Sequence, residues 1–379
     1  MTSTRMILQK QLGDNPKRLS IDEAIEIYRD AELNDLAFVA NERRRWLVPG
    51  NHVTYLVDRN INYTNVCNIN CQFCSFYRQP GHPDSYTLTF EDISKKIAEL
   101  EQLGGSRVLM QGGVNPVLPL QWYIDLIANI RLHHPGIALD CFSPIEIEGI
   151  ADVSGMTTID VLSILSDSGM HGLPGGGAEM LVDTVRNGIS PLKGSADNWI
   201  RVMMEAQEIG LVTSATNVFG FGETIDDRVE HFDRIRTMQD NSYSNGLNGF
   251  TSFISWPVML ENNSLGRGNR GLNRHSLGAG AIDYLRHLAV SRIFFDNVPH
   301  IQASWPTMGM NVAQLALLYG ADDLGSTMME ENVVSSSGSD KSYATIDELR
   351  NTIISAGFEP MQRDSQYRIV NGNQQVQIH

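Results

Sequence analysis

The run Asn65-Val-Cys67-Asn-Ile-Asn-Cys71-Gln-Phe-Cys74-Ser-Phe-Tyr77 places three of the chain's four cysteines within eight residues. Four cysteines among 379 residues do not make a disulfide framework, so the clustering needs another reason. The spacing is C-x3-C-x2-C. A cubane iron–sulfur cluster has four irons, and a short loop with three thiolates reaches three of them. The fourth is left open to bind a substrate or cofactor directly. Zinc commonly takes four ligands from two paired C-x2-C-like elements. No second pair exists here, and His82, set between Gly81 and Pro83, is the fourth ligand that reading would have to use. Buried, inert thiols are the remaining alternative. Cys141 falls inside a predicted strand and reads as an ordinary buried thiol.

Working outward, His52 to Val66 is rich in Val, Thr, Tyr and Ile, which predicts an extended strand just before the cysteines. Strands are expected near 53–66, 106–111, 137–142, 170–173, 211–219, 249–255 and 299–303, with a weaker eighth near 322–325. Helices are expected near 90–103, 119–134, 158–167, 195–209, 224–239, 278–295, 309–318 and 345–356. Ser20-Ile-Asp-Glu23 and Thr345-Ile-Asp-Glu348 are capping boxes, Ser195 precedes a helix and Pro119 opens one. Helices to about Ala31 and over Asn34 to Trp46 form a preface. The pattern predicts an α/β chain: an N-terminal helical extension (1–50), a (βα)8 barrel (51–370) and a frayed tail (371–379). A doubly wound open sheet is the alternative. Asn262 to Ser276 is the most loop-like insertion. In a barrel, the cysteine loop follows the first strand and lies at the C-terminal face, where such folds place their chemistry.

The formal net charge of −15 argues against binding a phosphate backbone, so a small-molecule substrate is expected and nucleic acid is not. No run of about 18 apolar residues is present to span a membrane. Met1 to Leu12 lacks the apolar core of a secretory signal. The expected location is the cytoplasm.

C-x3-C-x2-C with an aromatic before the last cysteine resembles the signature of the radical S-adenosylmethionine (SAM) superfamily. The stretches INYTNVCNINCQFCSFYR, LMQGGVNP, CFSPIEI, LPGGGAEML, FGETIDDRVEH, IQASW and GADDLGSTMMEENVVSSSG resemble a narrower family, cyclic dehypoxanthinyl futalosine synthase of menaquinone biosynthesis, over roughly residues 20 to 370. The resemblance implies a [4Fe–4S] cluster on Cys67, Cys71 and Cys74, with SAM on the open iron. It implies reductive cleavage of SAM to a 5′-deoxyadenosyl radical, with a flavodoxin- or ferredoxin-like electron donor. The radical takes a hydrogen from the substrate's ribose, at the 4′ position, and the sugar carbon closes onto the substrate's own aromatic ring. Phe73 matches the aromatic position near the adenine. The pattern departs from the family's at Trp256 to Asn262, at Pro306 and Met308, and at His171, on loops expected to face a nucleoside-derived substrate.

Other candidates come from the strand ends. Gly112 and Gly113 let the backbone approach a ligand, by resemblance the SAM amino group. Ser143 and Glu146 follow the third strand as acceptors for ribose hydroxyls or an amine, or as an ordinary helix cap. Gly175, Gly176 and Gly177 suggest close approach to SAM or substrate, and they lack the Lys and Ser/Thr of a phosphate loop. Glu179 follows them. Arg186 has the forked geometry to grip the SAM carboxylate, or is a surface arginine. Glu223, Glu261 and His171 are candidates for the final proton acceptor. Gln302 and Ser304 fall at the same barrel face. His133 and His134 read as helix capping, and the Met203-Met204 and Met328-Met329 pairs as core filling.

Overall fold

A computed structural model describes residues 3–268, 276–339, 341, 343–371 and 374–376. Much of the predicted insertion, 269–275, lies outside the described residues. The expected first strand is two: β1 (His52–Leu56) and β2 (Asp58–Ile61). Residues 62–66 leave the sheet and make only isolated bridges, Thr64 to Thr87 and Val66 to Arg78. Strands β3 (Arg107–Met110), β4 (Ala138–Cys141), β5 (Gly172–Leu173), β6 (Val212–Phe219), β7 (Phe250–Pro257), β8 (His300–Gln302) and β9 (Asp323–Ser326) follow, each parallel to the one before it from β2 to β9. β1 pairs with β9, and Arg59 of β2 bridges to Met329 just beyond it. The broken first strand therefore joins both ends of the series, and the barrel reading holds over the open sheet.

Helices follow the strands where the sequence places them. Ser20, Thr89, Thr224 and Thr345 close capping boxes. Among the described residues, five helices exceed the expectation: Ser3–Gln9, Pro144–Ser154, Asp183–Ile189 and the short Ser264–Gly268 and Val333–Ser336. Ser143 caps the second of these, with Pro144 at its first position. The helix expected from 309 begins at Trp305 and bends at Gly309, whose φ of 77° is left-handed. Among the described residues, no single helix is long and apolar enough to cross a membrane. The N-terminal helices Ile21–Asp30 and Leu33–Leu47 pack on Ala281–Phe294, and Tyr28 Oη lies 2.9 Å from His287 Nδ1.

The chain's end was underread. β10 (Glu359–Arg363) adds parallel to β1 on its outer side, and β11 (Ile369–Asn371) and β12 (Gln374–Val376) extend it antiparallel, β12 inside the segment 371–379 read as a tail. β10 carries Arg363 into the barrel floor, where its guanidinium meets Asp323 at 2.5 and 3.1 Å. A second buried pair, Arg292 with Asp322, ties helix Ala281–Phe294 to the start of β9, and Arg292 also donates to the carbonyls of Gly320 and Pro299. Both side chains are almost fully buried. Removing one member of such a pair leaves an uncompensated buried charge. Arg292→Met is therefore expected to lower the unfolding free energy by about 3–5 kcal/mol, read as a shifted midpoint in urea titration.

Candidate active site

The cysteine loop is held from several sides. Cys67 N–H donates to Arg78 O at 3.0 Å, Asn68 N–H to Val114 O at 3.1 Å and Gln72 N–H to Ile189 O at 3.0 Å. Leu265 N–H donates to Gln72 O at 2.8 Å, from the short helix Ser264–Gly268 within the insertion. The Arg78 guanidinium donates to the carbonyls of Ser75, Phe76 and Tyr77, curling the chain around its own charge. Gly113 is fixed beneath the loop. A Cβ there would stand 2.2 Å from Val66 O and 2.7 Å from Cys67 Cβ.

All three thiols line one cavity of about 380 Å³ that runs down the barrel axis to Arg107 and Arg363. Burial pushes the Cys67 thiol up and the Cys74 thiol up to about 11. Buried sulfurs become thiolates readily only beside a cation or a metal. Among the described residues, no three His, Cys, Asp or Glu side chains come together as a site for one metal ion. The thiols instead sit round the mouth of a cavity, which fits a polynuclear cluster better than a single zinc. Cys141 is fully buried, as expected, with its thiol pushed well up.

The expected ligand residues divide into those that face the cavity and those that do not. Phe73, Gly112, Gly113, Ser143, Glu146, Gly176, Gly177, Glu179, Gln302 and Ser304 line it. The Glu146 carboxylate accepts from Tyr63 Oη (2.8 Å), Gly112 N–H (2.9 Å) and Ser143 Oγ (2.7 Å). Burial still raises its pKa to about 7. The glycines make room mainly for the protein itself. A Cβ on Gly175 would meet Ser214 O at 2.2 Å, so this residue backs onto β6 rather than facing the cavity. A Cβ on Gly176 would meet Gln111 Nε2 at 2.6 Å, and one on Gly177 would meet Ile145 Cγ1 at 2.6 Å.

Four expectations are corrected. Arg186 does not reach the cavity: its guanidinium donates to Gly177 O, Ala178 O and Gly194 O, and it is 1% exposed. Glu223 turns back to accept from Gly220 N–H, Phe221 N–H and Arg228 Nε, and so shapes the loop after β6. His171 sits outside the cavity wall, where Nδ1 accepts from Leu139 N–H at 3.0 Å. Glu261 lies at the exposed rim, where its main chain meets Ser75 Oγ and Ser337 O.

Several residues went unnoticed in the sequence. Lys193 is the cation that lines the cavity near the cysteines. Its ammonium donates to Glu179 Oε1 at 2.6 Å and lies 5.1 Å from the Phe73 ring centre. Cys71 and Glu179 hold its pKa up against burial. Glu179 has a left-handed φ of 41°, and its Oε2 is buried without a hydrogen-bond partner. Phe221 packs on Phe73 at 5.3 Å, beside a small apolar cluster of Val218, Val258 and Leu265. Glu331 accepts from Val333, Val334 and Ser335 N–H, folding the segment after β9 over the cavity. Met328, read as core filling, also faces the cavity. His134 bridges Ser94 and Glu101, in keeping with a helix-end role.

Comparison with known proteins places this arrangement. Residues 61–235 match the radical SAM superfamily model, and residues 247–376 match the CofH/MqnC C-terminal region. The chain is 40% identical to a cyclic dehypoxanthine futalosine synthase of Halalkalibacterium halodurans over 94% of its length and 92% of the relative's.

The chain belongs to the radical SAM superfamily, in its CofH/MqnC branch.

A cyclic dehypoxanthine futalosine synthase of Streptomyces coelicolor is 38% identical, over 92% of this chain and 85% of the relative. A 5-amino-6-(D-ribitylamino)uracil–L-tyrosine 4-hydroxyphenyl transferase of Archaeoglobus fulgidus is 37% identical, over 88% of this chain and 93% of the relative. The fold is similar to that of methylornithine synthase, with a TM-score of 0.71 at 17% identity, covering 95% of this chain and 97% of that chain. This radical SAM enzyme accordingly uses a [4Fe–4S] cluster and SAM. Its cavity offers three thiols, a lysine beside them and the ring of Phe73, a set that fits both groups. Gly113→Ala is expected to displace the loop at Val66 and Cys67. On anaerobic reconstitution it would retain well under half the iron of the unaltered protein, measured by iron and sulfide analysis.

Proposed function

We propose that this enzyme cyclises dehypoxanthine futalosine in menaquinone biosynthesis, with Cys67, Cys71 and Cys74 as the cluster ligands. The observation that carries the reading is convergence: the three thiols, Lys193, Glu179 and polar side chains from around the barrel all line one cavity. When bound, the cluster and SAM supply hydrogen-abstracting radical chemistry there, with electrons from a flavodoxin- or ferredoxin-like donor. The chain's own residues bind, orient and shield. Lys193 offers the cation for the SAM carboxylate, the role that Arg186 is too enclosed to play. Glu179 Oε2 is left to accept from the amine or the ribose. Phe73, braced at a tilt by Phe221, offers its ring to the adenine. Gly112 is held by Glu146, which fixes the backbone at the end of β3. The segment folded by Glu331 and the wall from Trp256 to Met259 exclude water and stray hydrogen donors from the reacting atoms. The carboxylates on the cavity wall nearer the cysteines, Glu146, Glu179 and Glu331, replace Glu223, Glu261 and His171 as candidates for the final proton acceptor.

Two measurements test this. In the first, reconstituted enzyme with dithionite and SAM is given dehypoxanthine futalosine, or the tyrosine-linked substrates of the sister enzymes. Release of 5′-deoxyadenosine stimulated by dehypoxanthine futalosine alone, with a cyclised product two hydrogen atoms lighter than the substrate, supports the assignment. Stimulation by a sister substrate instead overturns it. In the second, Lys193→Met is expected to weaken SAM binding by about tenfold or more, the value of a hydrogen bond to a charged group. Unchanged binding would place the SAM carboxylate elsewhere.

A further inference from the structure

The cysteines and Lys193 occupy the mouth of the cavity, but its walls continue well below them. Asn60, Leu109, Asp140 and Gly172 are register partners across β2 to β5. Asp140 lies on β4, three residues before Ser143 and deeper in the barrel. It is 6% exposed and lines the cavity. Its Oδ2 has one long contact, 3.4 Å to Arg107 Nη1. Arg107 is committed elsewhere, with Nε and Nη2 both on Asp58 Oδ2. Asp140 Oδ1 is buried and has no hydrogen-bond partner.

Such an atom is costly to bury unpaired, and the long ion pair from Arg107 to the other oxygen compensates the carboxylate only in part. The neighbour across β5 is Gly172, where a Cβ would stand 2.4 Å from Asp140 Oδ1. One step nearer the mouth, Asn62 donates its amide to Gln111 O, which fixes its Oδ1 as a second buried acceptor without a partner. Burial raises the Asp140 pKa to about 6, held in check by Arg107, with Asp58 pushing it up and Arg363 opposing. Two acceptors lacking donors, deep on one wall, call for a ligand that brings donors.

We infer that Asp140, with Asn62 above it, forms a deep subsite that accepts hydrogen bonds from the hydroxyl groups of the substrate's sugar. This rests on the reading of the cavity as the site for SAM and a sugar-bearing substrate, and it adds the residues that recognise the sugar. Asp140 is a specificity-determining group here. It orients the sugar so that one carbon faces the mouth, and Gly172 is the small residue that admits the carboxylate.

The test pairs enzyme variants with altered substrates. Unaltered enzyme, Asp140→Asn and Asp140→Leu are assayed on dehypoxanthine futalosine and on analogues lacking single sugar hydroxyls. Unaltered enzyme is expected to lose roughly tenfold or more in kcat/KM on at least one deoxy analogue, the usual loss for a hydrogen bond to a charged group. Asp140→Leu is expected to raise KM for the full substrate by a similar factor. It should show no further loss on that analogue, because the contact is already gone. Asp140→Asn keeps the size and an acceptor oxygen and should fall between. A merely structural Asp140 would give equal losses on every analogue, and that result overturns the proposal. So does unaltered enzyme that treats all deoxy analogues like the full substrate, a result that needs no variant to fold. Unaltered enzyme that cleaves no SAM would sink the underlying reading instead.

Discussion

Three sulfur atoms at the mouth of a barrel cannot carry charge inside the protein without something positive beside them. That constraint organises the upper half of the molecule. The loop bearing Cys67, Cys71 and Cys74 is curled by Arg78, wedged over Gly113 and braced by the helix Ser264–Gly268. These contacts hold the loop in place, and burial makes Cys67 and Cys74 reluctant acids. Lys193 is the permanent cation near them, balanced by Glu179. A site so arranged stays poised for a group that brings positive charge, and an iron–sulfur cluster does so.

Below the mouth, the same barrel solves a different problem. Its floor is closed by paired charges, Arg107 with Asp58 and Arg363 with Asp323, so the cavity ends in a polar but compensated layer. Between mouth and floor lie the acceptors that the protein leaves unpaired. Satisfied polar groups build the walls, and unsatisfied ones mark where a ligand completes them.

How much of this the sequence carried depended on how local each signal was. The cysteine spacing is entirely local, and the capping boxes at Ser20 and Thr345 and the strand–helix alternation were readable for the same reason. Arg186 was misread because forked donor geometry says nothing about which acceptors are nearer, and the turn Gly177-Ala178 supplies them first. Lys193 was missed because it sits in an irregular stretch with no periodic signal, and only the fold carries it back to Phe73. Glu223 looked like a ligand group, yet two amides of its own loop claim it. β10 was missed because Glu359-Pro-Met-Gln-Arg363 lacks the apolar alternation of a strand, its place being set by pairing with β1.

The account stands most directly on one spectroscopic experiment. Reconstituted, dithionite-reduced protein would be examined by electron paramagnetic resonance before and after SAM is added, with Cys74→Ser alongside. The account predicts about four irons per chain, a reduced-cluster signal that SAM changes because it binds the open iron, and loss of both in the variant. A cluster whose signal SAM leaves untouched, or colourless protein that holds no iron, would contradict it.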